Sequence, residues 1–179
     1  MTLLSRQEIE DALRRLGELA AAEGQHLEVL LVGGAAMVLG YDARPSTHDV
    51  DGVFGEPPIA ATTRKWIQVV AEERGWQADW FNDSAKGYLV GMTRGRKLMS
   101  VAGLDVWQPR AEQLLAMKLM AWRDDVDVDD ATRLLKEVSA NRDKLETWEL
   151  VVAFVLPGRE LKCHLAFEEL WKDTRGFTA

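Results

Sequence analysis

The chain has little of what several large protein classes require. One cysteine, Cys163, stands among 179 residues. No internal disulfide can form, and the usage fits a reducing cytoplasm. No apolar run approaches the roughly 20 residues of a membrane span. The N-terminus, Met1-Thr-Leu-Leu-Ser-Arg-Gln-Glu8, turns polar at once and lacks the apolar stretch of a secretory signal. Basic residues are outnumbered: 22 Lys and Arg against 29 Asp and Glu give a net charge of −7. General nucleic-acid binders are usually basic, because phosphate neutralisation drives their affinity. No His/Cys cluster suggests zinc, and no nucleophilic Ser or Cys arrangement is readable. The phosphate-loop Gly-Lys-Ser/Thr and the dinucleotide Gly-X-Gly-X-X-Gly are both missing. Internal repeats and low-complexity linkers are missing too.

What is present suits one ordinary folded domain, with or without a small helical appendage. Hydrophobic residues make up 47% and charged residues 28%, which argues against wholesale disorder. Ser5-Arg-Gln-Glu8 has the form of a capping box, and Ile9, Ala12, Leu13, Leu16, Leu19 and Ala20 follow at helical spacing. Gly24 is a stop. Residues 26–32 read as a buried strand that ends at Gly33-Gly34, and 35–39 as a short helix. Residues 48–54 read as a second strand, Pro57-Pro58 as a turn, and 62–74 as a helix. Residues 88–92 and 97–106 read as strands joined by an Arg94-Gly95-Arg96 turn. From Pro109 onward the pattern is helical, with helices over 110–122, 127–139, 143–156 and 160–173. The expected fold class is α+β (mixed α/β). Its core covers 1–108, and a helical region over 109–179 packs on that core as a single unit.

The candidate chemistry lies between Gly33 and Asp51. Glycines at a strand end let backbone approach phosphate and expose amides at a helix N-terminus. Asp49 and Asp51, two apart on a strand, would share a face at roughly 6–7 Å. Two such carboxylates suit divalent cations, and Mg²⁺ completes its shell with water and substrate phosphates. Arg44, Ser46 and Thr47 lead into the carboxylate strand, either as phosphate or carboxylate partners or as loop residues turned by Pro45. Lys118 sits in an apolar run, Leu114-Leu-Ala-Met-Lys-Leu-Met-Ala-Trp122, so it must snorkel, pair or reach a ligand. Asp105 alternates with Leu104 and Val106. On its own it reads as a solvent-facing strand residue. Asp127 and Asp130 stand at the start of the next helix, where they would cap it. Arg94, Arg96 and Lys97 form either a local basic patch for RNA or a solvated tip. Trp80 and Trp107 are core residues or base platforms. His48 points outward, and His26 and His164 are structural.

Gly33, Gly34, Asp49 and Asp51 resemble the nucleotidyltransferase superfamily, the DNA polymerase β-like group. More narrowly, Val32-Gly-Gly-Ala-Ala, Arg44-Pro-Ser-Thr47 and Asp49-Val-Asp51 resemble the minimal nucleotidyltransferases of bacterial toxin–antitoxin systems. These include AbiEii-like abortive-infection toxins and the mycobacterial MenT toxins. The resemblance covers roughly residues 28–135 and extends to the Lys118 helix through Arg123, and to Asp127 and Asp130. It includes Trp80-Phe-Asn82-Asp83 with Lys86, to which no role attaches. It implies a nucleotidyltransferase core over 1–108. It implies Mg²⁺ or Mn²⁺ at Asp49 and Asp51, with Asp105, Asp127 or Asp130 as third acid. It implies an NTP triphosphate held by Gly33, Gly34, Arg44, Ser46, Thr47 and Lys118. The implied reaction moves a nucleoside monophosphate to an acceptor hydroxyl on tRNA, and a cognate antitoxin or toxin is a possible partner. The alternatives are an aminoglycoside-type or protein-AMPylating enzyme, or a non-catalytic partner-binding module on the same fold.

Overall fold

The computed structural model describes residues 3–55, 61–122 and 127–175. Pro57, Pro58 and Arg123 lie outside them. The described chain is α+β and divides into two units. Met1–Lys86 with Arg94–Gln108 form one, and Gly87–Thr93 with Pro109–Ala179 the other.

In the first unit, β1 (Leu4–Ser5) leads into α1 (Arg6–Ala22). The expected capping box is present: the Ser5 amide donates to Glu8 Oε2 at 2.8 Å, and the Glu8 amide donates to Ser5 Oγ at 3.4 Å. Ile9, Ala12, Leu13, Leu16 and Ala20 are buried. Then follow β2 (Leu27–Leu31), α2 (Gly33–Leu39), β3 (Ser46–Thr47), β4 (Val50–Phe54), α3 (Ala61–Arg74), β5 (Phe81–Asn82), β6 (Lys97–Val101) and β7 (Leu104–Trp107). A five-stranded mixed sheet runs β5-β4-β2-β7-β6, and β1 pairs with β3 separately.

Side chains alternate across this sheet. Val29, Leu31, Val50, Phe54, Leu104 and Val106 share one core with α1 and α3 residues such as Leu13, Leu16, Trp66 and Val70. The other face carries the polar groups. Register pairs Glu28 with Asp105, Leu30 with Trp107, Leu30 with Val53, and Asp51 with Asn82. The short α2 is held at its far end by Arg6. That guanidinium donates to the Leu39 carbonyl at 3.1 Å and also to the Val38 carbonyl. These are two of the end carbonyls that a helix cannot satisfy itself.

The second unit holds α4 (Ala111–Ala121), α5 (Val128–Val138), α6 (Lys144–Val152) and α7 (Glu160–Arg175). Helix α4 packs against the other three. Leu115, Leu119, Leu134, Leu135 and Phe167 are fully buried. Asp143 and Glu146 form a second capping box at the start of α6.

Three expectations about elements are corrected. Residues 88–92 are not a strand. The buried Gln113 amide donates to the Val90 and Gly91 carbonyls at 2.9 and 3.0 Å, and its carbonyl accepts from the Thr93 amide at 3.0 Å. These bonds replace those of a strand neighbour. Residues 97–106 are two antiparallel strands rather than one, because Gly103 at φ +73° makes the reversal. The turn therefore falls at Ala102-Gly103, not at Arg94-Gly95-Arg96. Helix α6 stops at Val152, since Phe154 and Val155 donate three residues back and tighten the chain before Pro157. Among the described residues, no helix is long and apolar enough to cross a membrane.

Candidate functional site

The centre of the site is the strand-to-helix turn after β2. Val32 is extended at φ −128° and its amide donates to the Asp51 carbonyl at 3.0 Å, which fixes the turn against β4. Gly33 then takes φ +57°, a left-handed conformation that glycine adopts without cost. It is also pressed against the acid: a Cβ at Gly33 would lie 2.8 Å from Asp51 Oδ2. A Cβ at Gly34 would lie 2.2 Å from Thr47 Oγ1 and 3.5 Å from an Arg44 nitrogen. The two glycines thus allow Asp51, Thr47 and Arg44 to crowd onto the first turn of α2. The opening amides of a helix have no acceptor within it.

Thr47 is buried. It and Ser46 are not loop residues: they pair with Leu4 and Ser5 as β3. The N-terminal segment therefore buttresses the approach to the carboxylates. Sequence reading missed this, because a two-residue strand carries no periodic signal.

Asp51 lies within β4, but Asp49 does not, since the strand begins at Val50. The strand-face argument is corrected here: a different contact brings Asp49 to the same side. Asn82, the register partner of Asp51, projects on the same face as Asp51, and its side-chain amide donates to Asp49 Oδ2 at 2.9 Å. The Asn82 side-chain Oδ1 accepts from the Ser84 backbone amide at 2.9 Å, so the tether is itself held. Asn82 is the residue of this site to which the sequence attached no role. Both carboxylates are half-buried.

Asp105 stands elsewhere. It pairs with Glu28 on β2, whereas Asp51 lies beside Val32. Four residues along and two strands across separate them, roughly 13 Å by 10 Å. One metal ion does not span that gap. Asp105 has its own partners: Ser100 Oγ at 2.5 Å, Lys97 Nζ at 3.1 Å and His26 Nε2 at 3.3 Å. These hold its carboxyl below the usual carboxylate range, the Ser100 hydrogen bond most of all. His26 is accordingly structural, and His48 is exposed, as expected.

Lys118 is in the second unit, where its ammonium pairs with Asp127 at 2.9 Å and Asp130 at 2.8 Å. It is 12% exposed and the two acids 1% and 2%, so the lysine pairs rather than snorkels. Asp127 occupies the N-cap position of α5 without a side-chain cap bond. Its carboxylate goes to the lysine instead.

The basic cluster is also spent internally. Arg94 pairs with Glu28, Arg96 donates to the Gly40 carbonyl, and Lys97 pairs with Asp105. Trp107 carries Arg94 and Lys97 over its ring, 5.6 and 4.6 Å from the centroid. Trp80 is a core residue, buried among Trp76 and Phe81 with its indole N–H donating to the Ile67 carbonyl at 3.0 Å. His164 packs edge-on against Trp148.

Among the described residues no group of three or more His, Cys, Asp or Glu is arranged to hold a metal ion. The candidate donors are two carboxylates, Asp51 at the glycine turn and Asp49 on Asn82 beside it. That fits Mg²⁺ or Mn²⁺ only if phosphate oxygens and water complete the shell, as is usual for Mg²⁺ at nucleotide sites. It does not fit zinc, which takes three or four protein ligands. The arrangement can therefore offer backbone amides and the Thr47 hydroxyl to an anion, beside two acids for a cation. No protein-family model, curated protein or solved structure matches the chain, so the reading of this site rests on its own residues.

Proposed function

We propose that the protein is a metal-dependent nucleotidyltransferase that moves a nucleoside monophosphate from an NTP to an acceptor hydroxyl. The observation that carries this reading is the convergence of Gly33, Gly34, Arg44, Thr47 and Asp51 on one turn, with Asp49 tethered to Asn82, the register partner of Asp51. A phosphate-compatible backbone with carboxylates beside it supplies the parts that phosphoryl-type transfer needs, because its catalysis is mostly positioning and charge neutralisation. Asp49 and Asp51 would hold Mg²⁺ or Mn²⁺. When bound, that ion neutralises phosphate charge and raises the nucleophilicity of the attacking oxygen. Gly33, Gly34 and Thr47 would hold phosphate oxygens, with Arg44 and Ser46 alongside. Asn82 would keep the Asp49 carboxylate aimed. In the transfer, the acceptor oxygen bonds to the α-phosphorus and the bond to the β-phosphate oxygen breaks. Pyrophosphate leaves, and the hydroxyl proton passes to solvent.

Lys118 as a triphosphate ligand, with Asp127 as its assisting acid, is supported by the family resemblance alone. Their burial and mutual pairing are equally what a structural ion pair requires. The same resemblance supports a toxin–antitoxin setting and a tRNA acceptor. A net charge of −7 and an internally paired basic cluster serve an RNA acceptor poorly.

The test is to incubate the protein with each labelled NTP, Mg²⁺, total tRNA and cell lysate, beside the Asp49→Asn/Asp51→Asn double variant. Metal-dependent labelling lost in the double variant is expected. Labelling that persists in that variant would remove the assignment. A chain that binds no nucleotide but co-purifies with a stable partner would make it a partner-binding module instead.

A further inference from the structure

Helix α7 presents apolar side chains on two opposite sides. Cys163, Ala166, Phe167, Leu170 and Trp171 are buried. At 3.6 residues per turn Leu161 and Leu165 stand opposite that face, and they are 74% and 62% exposed. A third leucine joins them from α6: Leu145, 65% exposed. The two helices lie side by side in opposite directions. Lys144 reaches Glu168 at 2.8 Å, and the Trp148 ring meets His164 at 4.8 Å. Leu145 shares a face with Trp148, and Leu161 a face with His164, each three residues apart. The three leucines are therefore one patch, bridged by a half-buried tryptophan and histidine. Apolar residues scattered singly on a surface are ordinary, whereas a contiguous patch rimmed by polar groups marks an interaction site.

The patch is complementary to itself. Lys162 and Glu169 are exposed and lie two turns apart on the same flank of the leucine stripe. A second α7 laid antiparallel, with a two-fold axis beside Leu165, sets Leu165 against Leu165 of the second copy. The same operation brings each Lys162 over the Glu168–Glu169 end of the other helix. It brings each Leu161 towards the other copy's Leu145, which neighbours Glu168 through Lys144. Such a contact is isologous, the kind that closes two-fold dimers. A parallel pairing would instead set Lys162 on Lys162 and Glu169 on Glu169. Lys162 donates to the Met120 carbonyl at 3.4 Å, which leaves two of its three donors for a partner. A lipid surface fits less well. Helices that lie on membranes carry Lys and Arg beside their apolar face, and here Glu168, Glu169 and Asp173 stand there.

We propose that this face of α6 and α7 is a homodimer interface, covered by the same face of a second copy of the chain. The proposal is independent of the reading of the glycine turn. Standard interfaces bury about 800 Å² per partner. Three leucines supply only the apolar centre of such an area, so the dimer is reversible and depends on concentration.

The experiment is sedimentation velocity of the full chain over about 1–500 µM, the range in which reversible dimers dissociate. The mass should rise from one chain to two. Leu165→Glu should weaken association at least tenfold and leave the melting temperature of the monomer unchanged, since the replaced side chain faces solvent. Lys162→Glu should weaken it about threefold, the scale of an exposed ion pair, and Lys162→Glu/Glu169→Lys should restore it. Leu165→Cys should give a disulfide-linked dimer on mild oxidation, because the axis brings the two thiols together. Leu161→Cys should not, since its symmetry mate lies about eight residues, or roughly 12 Å, along the helix pair. Wild type is the control, because Cys163 is buried. A chain that stays monomeric throughout the series would overturn the proposal. So would a dimer indifferent to Leu165→Glu, or a Leu161→Cys protein that cross-links as readily as Leu165→Cys.

Discussion

Replacing Gly33 by alanine strikes the turn on two physical grounds at once. The residue sits at φ +57°, where a non-glycine residue costs about 1–3 kcal/mol. The added methyl would also stand 2.8 Å from Asp51 Oδ2, well inside the roughly 3.5–4.0 Å of an unstrained carbon contact. The Asp51 carboxylate or the turn must therefore move by several tenths of an ångström. Backbone strain predicts a loss of about 1–3 kcal/mol in urea unfolding, or roughly 2–12 °C in Tm for a chain of this length. The displaced acid predicts a larger effect on function, because a misplacement near 1 Å can cost on the order of a hundredfold in rate. Gly87→Ala is the control, since its Cβ would meet nothing within 4 Å. The assay pairs urea denaturation with Mg²⁺-dependent nucleotide binding for wild type and both variants. A Gly33→Ala protein that matches wild type in both would refute the claim that this turn needs glycine in order to meet Asp51.

Other outcomes follow from single contacts. Lys118→Met removes the ammonium that the buried Asp127 and Asp130 share. It should cost about 3–5 kcal/mol in denaturant unfolding, and a change under about 1 kcal/mol would show that the pair is not a working ion pair. Ser5→Ala removes the cap of α1 and should cost about 1 kcal/mol. The Ser5 contacts hold the Glu8 carboxyl below its ordinary value. Their stabilisation is full above the unfolded pKa near 4.3 and is lost as pH falls through the lower folded value. Stability curves for wild type and Ser5→Ala should therefore converge in acid. Burial pushes the Cys163 thiol up. Its contribution is full below the unfolded pKa near 8.5 and declines as pH rises through the higher folded value. Cys163→Ala should flatten the alkaline limb of stability against pH.

The parts of the fold that could be read from sequence are those whose signals are local. Helix α1 announces itself through Ser5, Glu8 and a run of apolar residues at helical spacing, and α5 and α7 lie within two residues of their expected bounds. Local chemistry also marked the glycine turn. What escaped depends on partners distant in the chain. Strand β3 exists because β1 pairs with it. Asp49 reaches the site through Asn82, thirty-three residues on. Residues 90–93 are shaped by Gln113, and α2 is held by Arg6 from thirty-two and thirty-three residues away. Asp105 shows the converse: its alternation with Leu104 and Val106 was legible, but only the register reveals which end of the sheet it occupies. Lys118 was conspicuous in its apolar run, yet nothing in that run says that Asp127 and Asp130 would meet it.

The central claim is that Asp49 and Asp51 hold a divalent cation against a nucleotide seated on the Gly33-Gly34 turn. Calorimetric titration of each NTP with and without millimolar Mg²⁺, on wild type and on Asp51→Asn, tests it most directly. At least one NTP should bind wild type only when Mg²⁺ is present, with affinity falling at least tenfold in Asp51→Asn. Nucleotide binding that ignores both the metal and the substitution would contradict it.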